Sequence, residues 1–465
     1  MINLGLKRFL DCKQLFIFFV FLCLILQAKF SFANGGISIV KDVEIEDYIR
    51  NISDNILTNA GISPDSVNFY LVEDKSINAF VALGQNIFVH TGLISMAENS
   101  NEFASVIAHE IGHIAGGHLI LGEQFREKTQ ALVFAGLASG IIAGLASGGA
   151  LLGLTEALTI GSINSSINLE IFFTRNQERE ADKLGVIYME KSNYDPTGFL
   201  TFLEKLYNVD PTKYLSKSVS IFLDHPLTIE RMNFAKYYLD SIKDKENRYV
   251  DMSLYDYKLK LIQAKIDAYN LGLQNIKIKY NKNTNVDKYA NAISNLMADN
   301  LDKALSIFIS IDNYQQNPYV LELIGDLYQK KRKFEKAIEY YKSAIKIYTK
   351  YSQHDTQNNI YMFYVKISQA YFNANKIEYL EESLKYINIA LSINKNLPSV
   401  WYIKSLVLAK MGKIPESQLA MAEKFLTSFD TNNAIIFANK ALEGLNKNSQ
   451  EWIQAKDIIN LAKRR

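Results

Sequence analysis

The alternation of apolar and polar positions changes once along the chain, near residue 250. Before that point, short β-rich stretches at 67–72 and 86–90 alternate with segments of helical period, most clearly 99–120 and 176–191. After it, only the helical period continues. This pattern predicts an α+β, mainly α fold, in which a domain with a small β-sheet at 34–250 precedes an all-α domain at 251–465.

The all-α part repeats itself. A unit at 318–350 has the bulky, glycine, aromatic and alanine positions of a tetratricopeptide repeat, and weaker copies flank it. The positions that carry the pattern are Leu321, Ile324, Gly325, Tyr328, Ala337, Tyr341 and Ala344. Plain amphipathic helix hairpins are the alternative. In both cases we predict stacked helix pairs with a long concave surface that suits another polypeptide.

The N-terminus has the pattern of an export signal. Basic residues precede an apolar run at 15–26, and Ser31 and Ala33 occupy the two positions that a signal peptidase recognises. We therefore predict a signal peptide at 1–33, with an uncleaved membrane anchor as the alternative. Both cysteines, Cys12 and Cys23, lie within it, so the exported chain would have no disulfide and no thiolate ligand. The 51 Lys+Arg and 49 Asp+Glu nearly balance, which gives no indication of a nucleic-acid partner.

A glycine-rich run interrupts the first domain. The stretch 131–153 is uncharged, and four of its glycines recur at every fourth residue. On a helix these glycines would form a bare stripe that another helix can approach closely. We predict that 131–165 is a lid or a membrane-touching helical segment, and the alternative is a span across the bilayer.

The stretch 109–113 reads HEIGH. On a helix, His109 and His113 lie one turn apart and within about 40° of each other, so both rings can bind one ion. Glu110 points roughly 100° away from His109, where its carboxylate can reach a water on the metal without binding the metal itself. A third histidine ligand would be needed at position 119, which is Leu119, so His118 is predicted to be structural or to support a ligand.

Catalytic zinc takes three protein ligands and leaves one position open for water. Without cysteine, the third ligand must be His, Asp or Glu. Glu178 is the best candidate, because it shares one face of a second helix with Asp182, which could hydrogen-bond the outer nitrogen of a ligand histidine. On these residues alone, a solvent-exposed charge run is an equal alternative.

Three further histidines lie outside this stretch. His225, beside Pro226, could donate to a developing oxyanion, could fill the open metal position, or could be only structural. His90 and His354 are predicted to be structural.

These features together resemble the HtpX and CAAX-prenyl-endopeptidase family of zinc metallopeptidases, and within it the exported, repeat-bearing branch that serves outer-membrane β-barrel assembly. The resemblance rests on the segment 78–93, HEIGH, RNQEREAD at 175–182, the His-Pro pair and the repeats. It implies one Zn²⁺ per chain, bound by His109, His113 and Glu178. It also implies Glu110 as catalytic base, Asp182 in support of a ligand, and His225 as a switch that keeps the site latent.

The resemblance also has implications for substrate and partners. Substrate would add as an extra strand along 78–93, with contacts at Gln85, Asn86, Ile87, Phe88 and Val89. The implied function is that of a periplasmic zinc endopeptidase with a chaperone-like repeat domain. Its partners would be misfolded or assembling outer-membrane proteins and the β-barrel assembly machinery, with a peripheral membrane contact. A mainly non-proteolytic chaperone or adaptor is the alternative.

Overall fold

The structure is a computed structural model that describes residues 39–82, 85–118, 173–208, 229–242, 249–351 and 359–464. The predictions for 1–33, for 131–165, for His225 and for His354 lie outside these residues.

The first half of the chain is built on a mixed sheet with strand order β1-β2-β4-β3 in the described residues. The strands are β1 Ile39–Val40, β2 Asn68–Val72, β3 Ala79–Ala82 and β4 Asn86–His90. β4 pairs with β2 in parallel and with β3 antiparallel, while β1 pairs antiparallel with β2. β4 is therefore an inner strand and β3 forms one edge.

Helices surround this sheet. They are α1 Val43–Asn59, α2 Thr91–Met96, α3 Ser100–Ala115, α4 Arg175–Lys191, α5 Thr197–Asn208 and α6 Ile229–Ile242. Apolar residues of α1, of α3 and of the strands form one buried core, and α3 lies against the edge strand β3.

Local sequence features determine the ends of α3 and α4, the two helices that carry the site. At α3 the cap is Asn99, whose side-chain oxygen accepts a hydrogen bond from the Glu102 amide. The helix ends earlier than the predicted 99–120, because Gly117 has a left-handed backbone with φ of 67°. At α4, Thr174 and Gln177 form a reciprocal capping box.

The second half is all helical in its described residues, as predicted. Its helices are α7 Ser253–Asn270, α8 Gly272–Lys279, α9 Asn285–Met297, α10 Leu301–Phe308, α11 Pro318–Lys330, α12 Phe334–Tyr351, α13 Tyr361–Asn373, α14 Leu380–Ile393, α15 Pro398–Lys410, α16 Ile414–Thr427, α17 Thr431–Gly444 and α18 Gln450–Arg464. None of the described helices of either half has the length and apolar character needed to cross a membrane.

The repeat pattern has a direct packing reason. A side chain at Gly325 of α11 would collide with the ring of Tyr341 of α12, so this glycine permits the close contact of the helix pair. Pro318 and Pro398 occupy the first position of their helices, where a missing N–H costs no intrahelical bond.

The two halves meet at the start of α1. The ammonium of Lys265 on α7, which is 1% exposed, lies 2.8 Å from Asp42 Oδ2 and 2.9 Å from Glu44 Oε2. The Tyr289 hydroxyl on α9 donates to Glu44 Oε2 at 2.6 Å. The acidic start of a helix in the first half is thus held by donors of the second half.

Candidate metal centre

The centre forms where α3 crosses α4 at close range. A Cβ atom at Gly112 would lie 2.6 Å from the backbone oxygen of Ala181, and one at Gly185 would lie 3.1 Å from the backbone nitrogen of His109. The distance at Gly112 is too short for any side chain, and the distance at Gly185 is tighter than most real Cβ contacts. Small residues at the crossing therefore bring the face of α3 that carries the histidines onto the face of α4 that carries the carboxylates.

Three side chains meet at this crossing. One donor atom each from His109, His113 and Glu178 lies within 4.8 Å of the others, and all three residues are buried. The Nε2 atoms of the two histidines are 3.1 Å apart. Glu178 Oε2 is 3.5 Å from His109 Nε2, and its Oε1 is 3.4 Å from His113 Nε2. Two imidazoles and a carboxylate are a ligand set of catalytic zinc, so these residues fit a metal ion.

The outer nitrogen of each histidine has its own partner. Asp182 Oδ1 lies 2.9 Å from Nδ1 of His109, and Nδ1 of His118 lies 2.9 Å from Nδ1 of His113. Phe173 stacks on the His113 ring with centroids 3.7 Å apart. A partner on Nδ1 fixes the ring orientation and leaves Nε2 as the metal-facing atom. His118 therefore lies against the outer nitrogen of His113, and it is not one of the three clustered donors.

Arg231 of α6 completes the described part of the centre. Its Nε and Nη2 donate to Asp182 Oδ2 and Oδ1 at 2.8 and 2.7 Å, and its Nη1 lies 3.1 Å from Glu178 Oε2. Sequence reasoning assigned no site role to this arginine, because an arginine on an amphipathic helix gives no local signal of burial.

Burial and neighbouring charges shift the pKa values of His109 and Asp182 in opposite directions. Burial lowers the pKa of His109, but its bonds to Asp182 and Glu178 outweigh burial and raise the pKa to about 9. Burial raises the pKa of Asp182, yet Arg231 and His109 bring it below its usual value. A proton on His109 must leave before Nε2 can donate a lone pair to a metal.

Glu110 is fully buried and directly follows His109 on α3. Burial lowers the pKa of Arg231, whereas the charges of Asp182, Glu178 and Glu110 raise it. The carboxylate of Glu110 is thus close enough to act electrostatically on the same guanidinium as the metal-facing carboxylate. This position is compatible with a catalytic base beside the metal.

The predicted substrate contacts lie in an inner strand of the sheet and in the turn before it. Asn86, Ile87, Phe88 and Val89 belong to β4, where β2 and β3 pair with both sides of the strand, and Gln85 is the exposed turn residue before it. The side chains of Ile87, Phe88 and Val89 are buried. An added strand needs an edge of the sheet, and within the described part of the sheet β3 lies at one edge, with Ala79, Val81 and Ala82 each 0% exposed.

Known proteins match the two halves separately. Residues 44–239 match the family model Peptidase family M48, and residues 279–458 match the model Soluble NSF attachment protein, SNAP. The chain is 32% identical over 203 residues to the β-barrel assembly-enhancing protease of Escherichia coli (strain K12), which covers 44% of this chain and 40% of that protein. It is 34% identical over 177 residues to the metalloprotease LoiP of the same strain, with coverage of 38% and 64%.

The chain thus spans about 40% of the length of the first relative. The crystal structure of yeast Tom70 aligns with a TM-score of 0.26 and 16% identity, over 63% of this chain and 61% of that one. The two family matches confirm the predicted fold class, a metallopeptidase domain followed by a helical repeat region.

Proposed function

We propose that the chain is a zinc-dependent endopeptidase, from the match of residues 44–239 to the model of peptidase family M48. The observation that carries the proposal is the buried cluster of His109, His113 and Glu178. It supplies three protein ligands of the right chemistry for one zinc ion per chain.

The chain's own residues have distinct roles in the proposed reaction. Bound zinc would supply a Lewis acid that lowers the pKa of a water and polarises the scissile carbonyl. Glu110 accepts the proton of the attacking water and then delivers it to the leaving amine. Asp182 and His118 hold the two ligand rings in place through Nδ1.

Replacement of the base tests this function. Glu110→Gln removes the proton acceptor but none of the three ligands, so we expect one zinc per chain by elemental analysis. We expect cleavage of casein or of a β-barrel precursor to fall by at least about 100-fold. Glu204→Gln, at an exposed position of α5, is the matched control and should cleave at the wild-type rate. Undiminished cleavage by Glu110→Gln, or a wild-type chain without zinc, would contradict the proposal.

We also propose that substrate docks on β3 rather than along β4. β3 lies at the sheet edge and packs beside α3, which carries both histidines and Glu110. A peptide that adds to this edge through backbone hydrogen bonds would run close to the metal centre.

The proposed substrates are misfolded or assembling outer-membrane proteins, handled in the periplasm after export together with the β-barrel assembly machinery. The named activity of the first relative, β-barrel assembly-enhancing protease, supports this choice. The signal peptide at 1–33, the membrane contact of 131–165 and the switch role of His225 stay predictions. His225→Ala should raise basal cleavage if that histidine keeps the site latent.

A chaperone or adaptor is the second candidate function. Residues 279–458 match the soluble NSF attachment protein model, and this helical region is nearly as long as the peptidase match. The same Glu110→Gln chain separates the two candidates. If it restores β-barrel assembly in cells that lack the wild-type protein, cleavage is secondary to binding.

A further inference from the structure

One guanidinium lies against two buried carboxylates in this protein. Arg231 is 6% exposed, and it contacts Glu178 and Asp182, which are 2% and 1% exposed. It uses three different nitrogens for the two carboxylates: Nη1 for Glu178, and Nε with Nη2 for Asp182. The contact is therefore a planar clamp and not a single ion pair.

Packing fixes the helix that carries this arginine. Met232 and Ala235 of α6 are buried in a cluster with Val186 of α4 and Phe199 of α5. Arg231 is thus placed by a helix that packs directly on the helix of the two carboxylates, and its position does not depend on its own ion pairs alone.

The charge arrangement explains why an arginine is needed. Glu178 and Asp182 are one turn apart on the same face of α4, and two buried carboxylates at this spacing repel each other. Arginine presents N–H donors in a rigid plane, so Arg231 binds both oxygens of Asp182 in parallel and still reaches Glu178, a bidentate geometry that the single ammonium of a lysine lacks.

We infer that Arg231 is a positioning residue that holds the ligand Glu178 and its neighbour Asp182 in the arrangement that receives the metal. Its positive charge offsets the negative charges of the two carboxylates. The inference rests on the proposed zinc function, because it assigns Glu178 as a ligand. It adds a residue that touches neither the metal nor the substrate.

The test compares thermal unfolding of the full chain with and without metal. In EDTA-treated protein, Arg231→Met should lower Tm by about 5 to 10 °C, since it leaves two buried carboxylates with one counter-charge fewer. Added zinc should raise the Tm of this variant by more than it raises that of the wild type, because the ion replaces the lost charge. The Tm of Arg231→Lys should lie between that of the wild type and that of Arg231→Met.

A double variant shows whether charge is the cause. Asp182→Asn in the Arg231→Met background removes one of the repelling carboxylates, so it should recover at least half of the lost Tm in the metal-free chain. Arg179→Met, on the exposed side of α4, is the matched control and should leave Tm unchanged, since Arg179 and Glu230 are both more than half exposed.

The outcomes separate this inference from the proposed function. An equal loss of Tm with and without zinc, or a double variant no more stable than Arg231→Met, would overturn the positioning role. A wild-type Tm that does not respond to zinc would count against the metallopeptidase proposal. In that case the Tm of the double variant in the metal-free chain still tests the role of Arg231.

Discussion

His113 is held on several sides by groups that leave its Nε2 facing Glu178. His118 takes up Nδ1, Phe173 covers the ring face, and Glu178 Oε1 lies 3.4 Å from Nε2. His118 in turn lies 3.4 Å from Glu180, whose side chain is 59% exposed. Each ligand histidine thus has a different support, a carboxylate for His109 and an imidazole for His113.

Removal of the imidazole support should weaken the metal site without abolishing it. We expect His118→Leu to keep one zinc per chain but to bind zinc about 10- to 100-fold more weakly in a competition titration with a chelator. Glu180→Gln, which changes only the exposed partner of His118, should bind zinc as the wild type does. A His118→Leu protein that binds zinc as tightly as the wild type, or that binds none, would contradict this supporting role.

The spacing of His109 and His113 predicted that their rings lie side by side, because both residues are on one helix and helix geometry fixes their relative positions. Glu178 and Asp182 also followed from their shared helical face, although contact of that face with α3 needed the resemblance to a family. Arg231 could not be found in this way. It is 49 positions beyond Asp182, and only the packing of α6 on α4 brings the two together.

The sequence did not predict the order of the strands in the sheet. Alternation located the strands at 67–72 and 86–90 to within a residue, yet it contains no information on neighbours in the sheet. β2 pairs in parallel with β4, so β3, which lies between them in sequence, is displaced to the edge. This topology moves the proposed substrate contact from β4 to β3.

The edge role of β3 can be tested at Val81. The His90 amide donates to the Asn78 carbonyl at 3.0 Å, so in the antiparallel ladder Phe80 and Ala82 also face β4, and the N–H of Val81 points away from it. Val81→Pro should therefore leave the β3–β4 ladder intact but remove one hydrogen bond to an added strand, with kcat/KM on casein reduced about 10-fold.

Val81→Thr keeps the N–H and the branched shape of the side chain, although it buries a hydroxyl, so it is the control for a change at this buried position. It should retain cleavage within about twofold of the wild type, once both proteins are shown to have similar Tm values. A proline variant as active as the threonine variant would exclude docking of substrate along this part of β3.

The acidic start of α1 joins the first half of the chain to the helical second half. Besides the contacts of Lys265, the carboxylate of Asp47 accepts hydrogen bonds from Tyr319, Tyr348 and Asn359 at 2.8, 3.0 and 2.9 Å. The sequence predicted two domains but not this junction. The residues that bind Asp47 are up to 312 positions away from it along the chain and lie in different elements.

Asp47 makes this junction sensitive to pH. Burial raises the pKa of Asp47 to about 7, although the bonds from Asn359, Tyr319 and Tyr348 lower it. The folded chain therefore keeps a proton that the unfolded chain, with an ordinary aspartate pKa of about 4, has already released. The stabilisation from this group is complete below about pH 4 and is lost as pH rises to about 7, by at most roughly 4 kcal/mol.

Asp47→Asn imitates the protonated carboxyl at every pH and should remove this dependence. We expect the wild-type Tm to fall relative to that of Asp47→Asn as pH is raised from 4.5 to 8 in calorimetry, by several degrees (about 2 to 4 °C per kcal/mol). Asp65→Asn, at an exposed position of the same domain, should follow the wild-type curve. Parallel curves for the wild type and Asp47→Asn would show that the buried carboxyl at the junction is ionised at no cost, because its three donors then fully offset its burial.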